Sequence, residues 1–161
     1  MMNREQGSTL FLKSVIVLLG IGVLFLCVLL YLNIDEAADS EKEFVFLHLL
    51  LGVFYASAIP FYMALHQAFK LLLYIDRNEA FSDLSVTALK KIKHYAFAIS
   101  VLYLVSLPLF YYVAEKDDAP GMLLIALLLA FAAMVVSVFA AVLQKLLKSA
   151  VEIKKENDLT I

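Results

Sequence analysis

The sequence contains a single cysteine, Cys27, which lies inside the first long apolar run. One cysteine cannot form a disulfide within the chain, and it provides neither a CxxC redox pair nor a cysteine metal cluster. There is no HExxH motif, and no carboxylate accompanies the histidines within the apolar runs. We therefore expect no metal site and no cofactor, and we interpret Cys27 as a packing residue.

Catalytic motifs are also lacking. The serines within the apolar runs have no GxSxG elbow and no acid–base partner there, so we expect no enzyme activity. Asp, Glu, Lys and Arg are absent between the ends of the apolar runs, which argues against ion-coupled transport. The net charge of -2 gives no reason to expect direct binding of nucleic acid.

Apolar residues are abundant instead. They make up 63% of the chain and the mean hydropathy is +0.89, whereas ordinary soluble domains are roughly 45–50% apolar. A bilayer-spanning helix needs about 20 apolar residues, so 161 residues leave room for four spans and short connections. The sequence therefore predicts one integral membrane domain.

The apolar runs place four transmembrane helices at about residues 14–32, 44–69, 95–114 and 119–143. Between the second and third helices lies a polar connection, residues 70–94, with a turn at 78–82 and Ser82 or Asp83 as the next N-cap. Ser40 and Asp118 are the predicted caps of the second and fourth helices, and Pro120 suits a first helical turn. Residues 144–161 form an amphipathic tail.

Basic residues are unevenly distributed along the chain. The N-terminus, residues 70–94 and the tail hold all but two of the 13 Lys and Arg residues, whereas the other two connections are acidic. Because Lys and Arg are retained on the cytoplasmic side, both termini and the central connection are predicted to be cytoplasmic. The expected fold is an all-α four-transmembrane-helix bundle.

The two halves of the chain resemble each other weakly. A constant shift places Lys13 on Lys91 and residues 75–82 on residues 153–160. This pattern permits two tandem helical hairpins.

Polar residues in the second span are candidates for a functional site, because such residues are costly in a membrane. His48, Tyr55 and Tyr62 recur every seven residues and His66 follows four later, which puts them on one helical face. One interpretation is a groove for a proton, a small ligand or a haem edge. The other is packing, with the tyrosine hydroxyls bonded to neighbouring helices. Haem ligation requires two ligands at one depth in the membrane. Only His66 and His94, near the cytoplasmic ends of adjacent spans, could meet in this way, and haem is not expected.

Two further patterns favour membrane and helix contacts. Lys90, Lys91 and Lys93 are predicted to contact anionic lipid. Small residues in the fourth span recur at 4-3-4-3 spacing and predict a close helix contact, either within the bundle or in a homo-oligomer: Ala126, Ala130, Ala133, Ser137 and Ala140. Gly52 and Ala56 in the second span are predicted to play the same role.

The predicted cytoplasmic surface carries apolar residues that the membrane does not explain. Phe81 stands in a polar turn, and apolar residues punctuate the charged tail. We expect the turn and the tail to lie together and to bind a partner. The candidate partner-binding residues are Phe81, Ser82, Glu156, Asn157, Asp158, Leu159, Thr160 and Ile161. The alternative function is ligand binding or transport by the polar face of the second helix.

Phe81-Ser82, residues 89–93 and especially the ending Glu-Asn-Asp-Leu-Thr-Ile resemble the bacterial membrane family known as domain of unknown function 2975. The resemblance covers nearly the whole chain. It implies a multi-pass protein of the bacterial cytoplasmic membrane and, because such proteins are commonly encoded beside small helix-turn-helix regulators, a regulatory partner of that kind. It implies no catalytic residue and no cofactor.

Overall fold

The computed structural model describes residues 4–37, 41–116, 118 and 120–159, and every regular element among them is an α-helix. The helices are α1 (Arg4–Ala37), α2 (Glu41–Asp76), α3 (Asp83–Val105), α4 (Leu107–Lys116) and α5 (Pro120–Leu159). The predicted cap at Ser40 lies outside the described residues. Pro120 begins α5, the position in which its missing N–H has no cost.

Three of the helices are long and apolar enough to cross a membrane. Their candidate segments are Gly7–Asn33 in α1, Phe44–Asp76 in α2 and Pro120–Leu159 in α5. α3 and α4 meet the same criteria only as a pair, which is bent by 43°. The fold is therefore an all-α membrane fold with three candidate spans, or four if the bent pair crosses as one.

The third predicted span, 95–114, was expected to be a single helix, and this was wrong. The helix breaks at Ser106, two residues before Pro108. Proline has no backbone N–H and its ring clashes with the carbonyl four residues earlier. Ser106 bridges the break, because its N–H donates to the Leu102 carbonyl at 3.0 Å while its own carbonyl accepts from the Leu109 N–H at 3.0 Å.

The helices pack in a row rather than in a closed bundle. α1 packs on α2, α2 on α3, and α3 on α5, while α4 lies against α5 and α2. Within the described residues α1 contacts no helix except α2, and α2 does not pack directly on α5. The row consists of two antiparallel hairpins, α1/α2 and α3–α4/α5, and whether they are a repeat stays a prediction.

The contact between α3 and α5 uses the small residues of α5. Ala126, Ala130, Ser137 and Ala140 are buried there. The Ser100 hydroxyl donates to the Ala130 carbonyl at 2.9 Å, and small side chains permit so close an approach of two backbones. The predicted seam therefore serves contacts within the chain, and its buried residues are not available for a homo-oligomer contact.

Gly52 and Ala56 make no close helix contact among the described residues, and a homo-oligomer contact at them stays a prediction. Both are exposed, and a Cβ added at Gly52 would meet nothing within 4 Å. Small residues allow a close approach but do not attract a helix, and in this fold α1 and α3 pack on other faces of α2.

The connection between α2 and α3 has the expected turn chemistry. Asn78 has a φ of 60°, the left-handed conformation that asparagine tolerates well. The Glu79 N–H donates to the Tyr74 carbonyl at 2.7 Å, and the Asn78 N–H donates to the Ile75 carbonyl at 3.2 Å, which is the Schellman pattern of helix ends. Ser82 is confirmed as the N-cap of α3, since its side chain accepts from the Ser85 N–H.

α5 continues through the predicted tail as one helix of 40 residues. At 1.5 Å per residue it is about 60 Å long, twice the thickness of the hydrocarbon core. α5 is therefore longer than one crossing of the hydrocarbon core requires. Its last third lies beside the start of α3, where the Lys155 ammonium donates to the Asp83 carboxylate at 2.9 Å.

A substitution at a fully buried small residue of α5 tests the α3–α5 packing. Ala126 has no exposed surface, so Ala126→Leu forces the two helices apart and should lower the free energy of unfolding by about 1–3 kcal/mol. Ala132→Leu, at an exposed position of the same helix, is the control and should have little effect. Unfolding in detergent followed by circular dichroism measures both, and equal stability of the two variants would contradict this packing.

Candidate functional site

The polar face predicted in the second span does not form a single site. The Tyr55 hydroxyl donates to the Cys27 carbonyl at 2.9 Å, and the Tyr62 hydroxyl donates to the Gly20 carbonyl at 2.6 Å. Both carbonyls belong to α1, and a carbonyl oxygen can accept a second hydrogen bond beside its helical one. These two tyrosines therefore hold α1 on α2.

The two histidines of that face are separate from the tyrosine contacts. His48 and His66 are exposed, and His48 Nδ1 lies 2.8 Å from the Phe44 carbonyl one turn earlier. His94, the proposed depth partner of His66, is exposed as well. Within the part of the chain that the structure describes, no group of three or more His, Cys, Asp or Glu side chains could hold a metal ion.

Sequence reasoning missed a polar cluster between α1 and the end of α2. The Thr9 hydroxyl and the Lys13 ammonium donate to the two carboxylate oxygens of Asp76, both at 2.5 Å. The Lys13 ammonium also lies 5.7 Å from the centre of the Phe69 ring, within cation–π range. No periodicity connects residues this far apart in sequence, so only the fold brings them together.

The serines of the apolar runs make structural contacts. Ser57 Oγ lies 2.9 Å from the Tyr103 hydroxyl and donates to the Phe54 carbonyl at 2.7 Å, which joins α2 to α3. The Ser137 hydroxyl donates to the Lys93 carbonyl at 3.0 Å, which joins α5 to α3. Among the described residues, no buried side-chain nitrogen or oxygen lacks a hydrogen-bond partner.

The three lysines predicted to contact lipid have different surroundings. Lys90 and Lys91 are exposed on α3. The Lys93 ammonium donates to the Gln144 side-chain oxygen at 3.1 Å and so belongs to the α3–α5 contact. The predicted cluster therefore presents two lysines to its surroundings rather than three.

We use the term basic end for the end of the molecule that holds the α2–α3 connection, the start of α1 and the last third of α5. The Thr9–Lys13–Asp76 cluster and the Lys155–Asp83 ion pair show that these segments lie together. The predicted partner-binding residues therefore belong to this end, except Thr160 and Ile161, which lie outside the described residues.

Phe81 and the end of α5 form a shallow depression at the basic end, which we call the tail surface. Its lining consists of Phe81, Ala150, Ile153, Lys154, Glu156 and Asn157. Phe81 and Ile153 are 56% and 66% exposed, so two large apolar side chains are accessible on a surface that also carries charged side chains. The Ser82 side chain caps the N-terminus of α3. Asp158 and Leu159 are exposed and do not line the depression.

An apolar groove adjoins the tail surface, and we call it the α2–α5 groove. Its volume is about 490 Å³, and Phe81 and Ala150 line both features. Its walls come from the end of α2, the start of α3 and the outer part of α5, through Leu71, Ile75, Leu89, Leu143, Leu146 and Leu147. The groove exists because α2 and α5 do not pack on each other at this end.

Comparison with known proteins places the chain in a family. The profile of the family described as Protein of unknown function (DUF2975) matches residues 12–161, so the chain belongs to this family. Uncharacterized membrane protein YoaS of Bacillus subtilis (strain 168) is 53% identical over 162 residues, which cover 99% of this chain and 100% of YoaS. No solved structure matches the chain significantly.

The two ion pairs of the basic end should differ in strength. The Lys13 and Asp76 side chains are 19% and 22% exposed, whereas those of Lys155 and Asp83 are 61% and 75% exposed. Because water screens exposed charges, double-mutant cycles with Lys→Gln and Asp→Asn should give a larger coupling free energy for the first pair. Equal coupling of the two pairs in unfolding measurements would contradict a stronger Lys13–Asp76 contact.

Proposed function

We propose that α1, α2, the α3–α4 pair and α5 each cross the membrane once, with both ends of the chain and the α2–α3 connection in the cytoplasm. The distribution of Lys and Arg supports this orientation. The grouping of the start of α1, the connection and the last third of α5 at one end also supports it, because four antiparallel crossings require these segments to share a side.

We further propose that the protein is a non-catalytic interaction protein whose tail surface binds a cytosolic protein. The observation that carries this proposal is the exposed Phe81 beside Ile153, with Lys154, Glu156 and Asn157 around them. Protein interfaces commonly combine an apolar centre, often aromatic, with a polar rim. The resemblance of the sequence suggests a small helix-turn-helix regulator as the partner.

The alternative function, a ligand or transport site on α2, has less support. A polar path along α2 needs hydroxyls that are free to contact a ligand, but Tyr55 and Tyr62 are bonded to α1 carbonyls. His48 and His66 are left on the exposed surface near the two ends of the span. The tail surface is therefore the better candidate for the protein's role.

Cysteine labelling tests the orientation. In a Cys27→Ser background, which removes the only native cysteine, Ser40→Cys should react with a membrane-impermeant maleimide added to intact cells. Asn78→Cys should react only after the cells are opened. The reverse pattern would overturn the orientation and remove the tail surface from the cytoplasm.

Co-purification tests the partner. After crosslinking in native membranes, the wild-type chain should recover a small helix-turn-helix protein, identified by mass spectrometry. Phe81→Ala should reduce its recovery at least about fivefold, because an aromatic side chain at the centre of an interface commonly contributes more than 1 kcal/mol.

Phe131→Ala is the matched control, since Phe131 is 69% exposed on the membrane-spanning part of α5. It should leave recovery of the regulator unchanged at equal membrane abundance. Truncation after Asn157 should reduce recovery if the last residues contribute to binding. Full recovery with both Phe81→Ala and the truncated chain would rule out the tail surface.

A further inference from the structure

On each of the three helices that line the α2–α5 groove, at least one lysine directly precedes or follows a lining residue in the sequence. Lys70 precedes Leu71 on α2, Lys90 follows Leu89 on α3, and Lys145 and Lys148 flank the α5 pair Leu146 and Leu147. Lys90, Lys145 and Lys148 are exposed, and Lys70 is half-buried. Long lysine side chains can extend from such positions to the mouth of an apolar groove.

Acidic residues of α3 and α5 lie farther from the membrane-spanning segments than these lysines. Glu152 and Glu156 follow Lys148 along α5, and at 1.5 Å per residue Glu156 is about 12 Å beyond it. Asp83 precedes Lys90 by about 10 Å on α3 by the same measure, and it is paired with Lys155. Asp76 and Glu79 also adjoin groove residues in the sequence, Ile75 and Ala80, so with the four lysines the charge around the groove is net positive, and beyond it the charge is mixed.

This arrangement fits a molecule with a hydrocarbon chain and an anionic head. The groove is wholly apolar along its walls, has a volume of about 490 Å³, and adjoins the ends of the apolar runs, where lipid headgroups lie. Basic pockets between transmembrane helices on the cytoplasmic side are suited to anionic lipid headgroups. A neutral lipid would fill the groove without using the lysines.

We propose that the α2–α5 groove binds an anionic phospholipid. One acyl chain lies against Leu71, Leu89 and Leu147, and the headgroup phosphate contacts lysines among Lys70, Lys90, Lys145 and Lys148. This site differs from the lipid contact expected from the sequence in two ways. Lys93 is not part of it, because its ammonium is bonded to Gln144, and the groove provides a binding site for an acyl chain as well as for a headgroup. The proposal does not depend on the protein partner of the tail surface.

The chain has no tryptophan, so a single introduced tryptophan reports on its surroundings. Phe81→Trp places the reporter in the groove, and Phe11→Trp is the matched control, because Phe11 is 69% exposed on α1 at the same end. Each variant is reconstituted in phosphatidylcholine vesicles containing a fixed fraction of brominated phosphatidylglycerol or brominated phosphatidylcholine. Brominated acyl chains quench tryptophan fluorescence on contact.

The groove reporter should show apparent binding of phosphatidylglycerol at least about fivefold stronger than of phosphatidylcholine, since one lysine near an anionic lipid contributes roughly that factor. The Phe11→Trp reporter should show nearly equal quenching. Adding Lys145→Gln and Lys148→Gln should remove most of the preference at the groove, while Lys155→Gln, whose ammonium is paired with Asp83, should not.

Equal quenching by the two lipids at Phe81→Trp would overturn the proposal. So would an equal preference at both reporters, which would indicate general attraction to the membrane surface rather than a site. A measurement without the reporter is native mass spectrometry of the unmodified chain, which should retain phosphatidylglycerol over phosphatidylcholine. Ala150→Leu, which narrows the groove, should reduce the retention of phosphatidylglycerol. Unchanged retention would show that the acyl chain of the lipid does not enter the groove.

Discussion

A bilayer offers no water to a polar group, so each hydroxyl in a membrane-spanning helix has to find its partner within the protein. This constraint determines how the helices are held together. Tyr55 and Tyr62 donate to carbonyls of α1, Ser57 and Tyr103 join α2 to α3, and Ser100 donates to a carbonyl of α5. Each neighbouring pair in the row is thus joined by a hydroxyl hydrogen bond in addition to apolar packing.

The row of helices explains where the two proposed binding surfaces lie. A closed bundle would bury the space between α2 and α5, but here the two helices remain apart at the basic end and leave the α2–α5 groove. The length of α5 brings its last turns beside the start of α3, which creates the tail surface next to that groove. The proposed lipid site and the proposed docking site therefore adjoin each other through Phe81, which lines both.

The sequence predicted features that depend on local chemistry. Apolar run length predicted long apolar helices, Ser82 or Asp83 was predicted as an N-cap, and the small-residue face of α5 was predicted as a packing seam, because each of these needs only nearby residues. Pro108 is likewise a local signal, because a proline two residues later disfavours a continuous helix through Ser106. The Asp76 cluster and the α2–α5 groove were not predictable, since they depend on which helices are neighbours. Gly52 is a further example, because a small residue does not specify which helix packs against it.

The tail surface forms only if the end of α5 lies against the start of α3 in the membrane-inserted protein. Crosslinking with a short bismaleimide in native membranes tests this claim directly, in a Cys27→Ser background. Asp83→Cys with Lys155→Cys should give an internal crosslink detected by peptide mass spectrometry, because the native side chains form an ion pair at 2.9 Å. Asp83→Cys with Lys145→Cys, which is about 15 Å closer to the membrane along α5, should not. Absence of the first crosslink, or equal yields of both, would contradict the account.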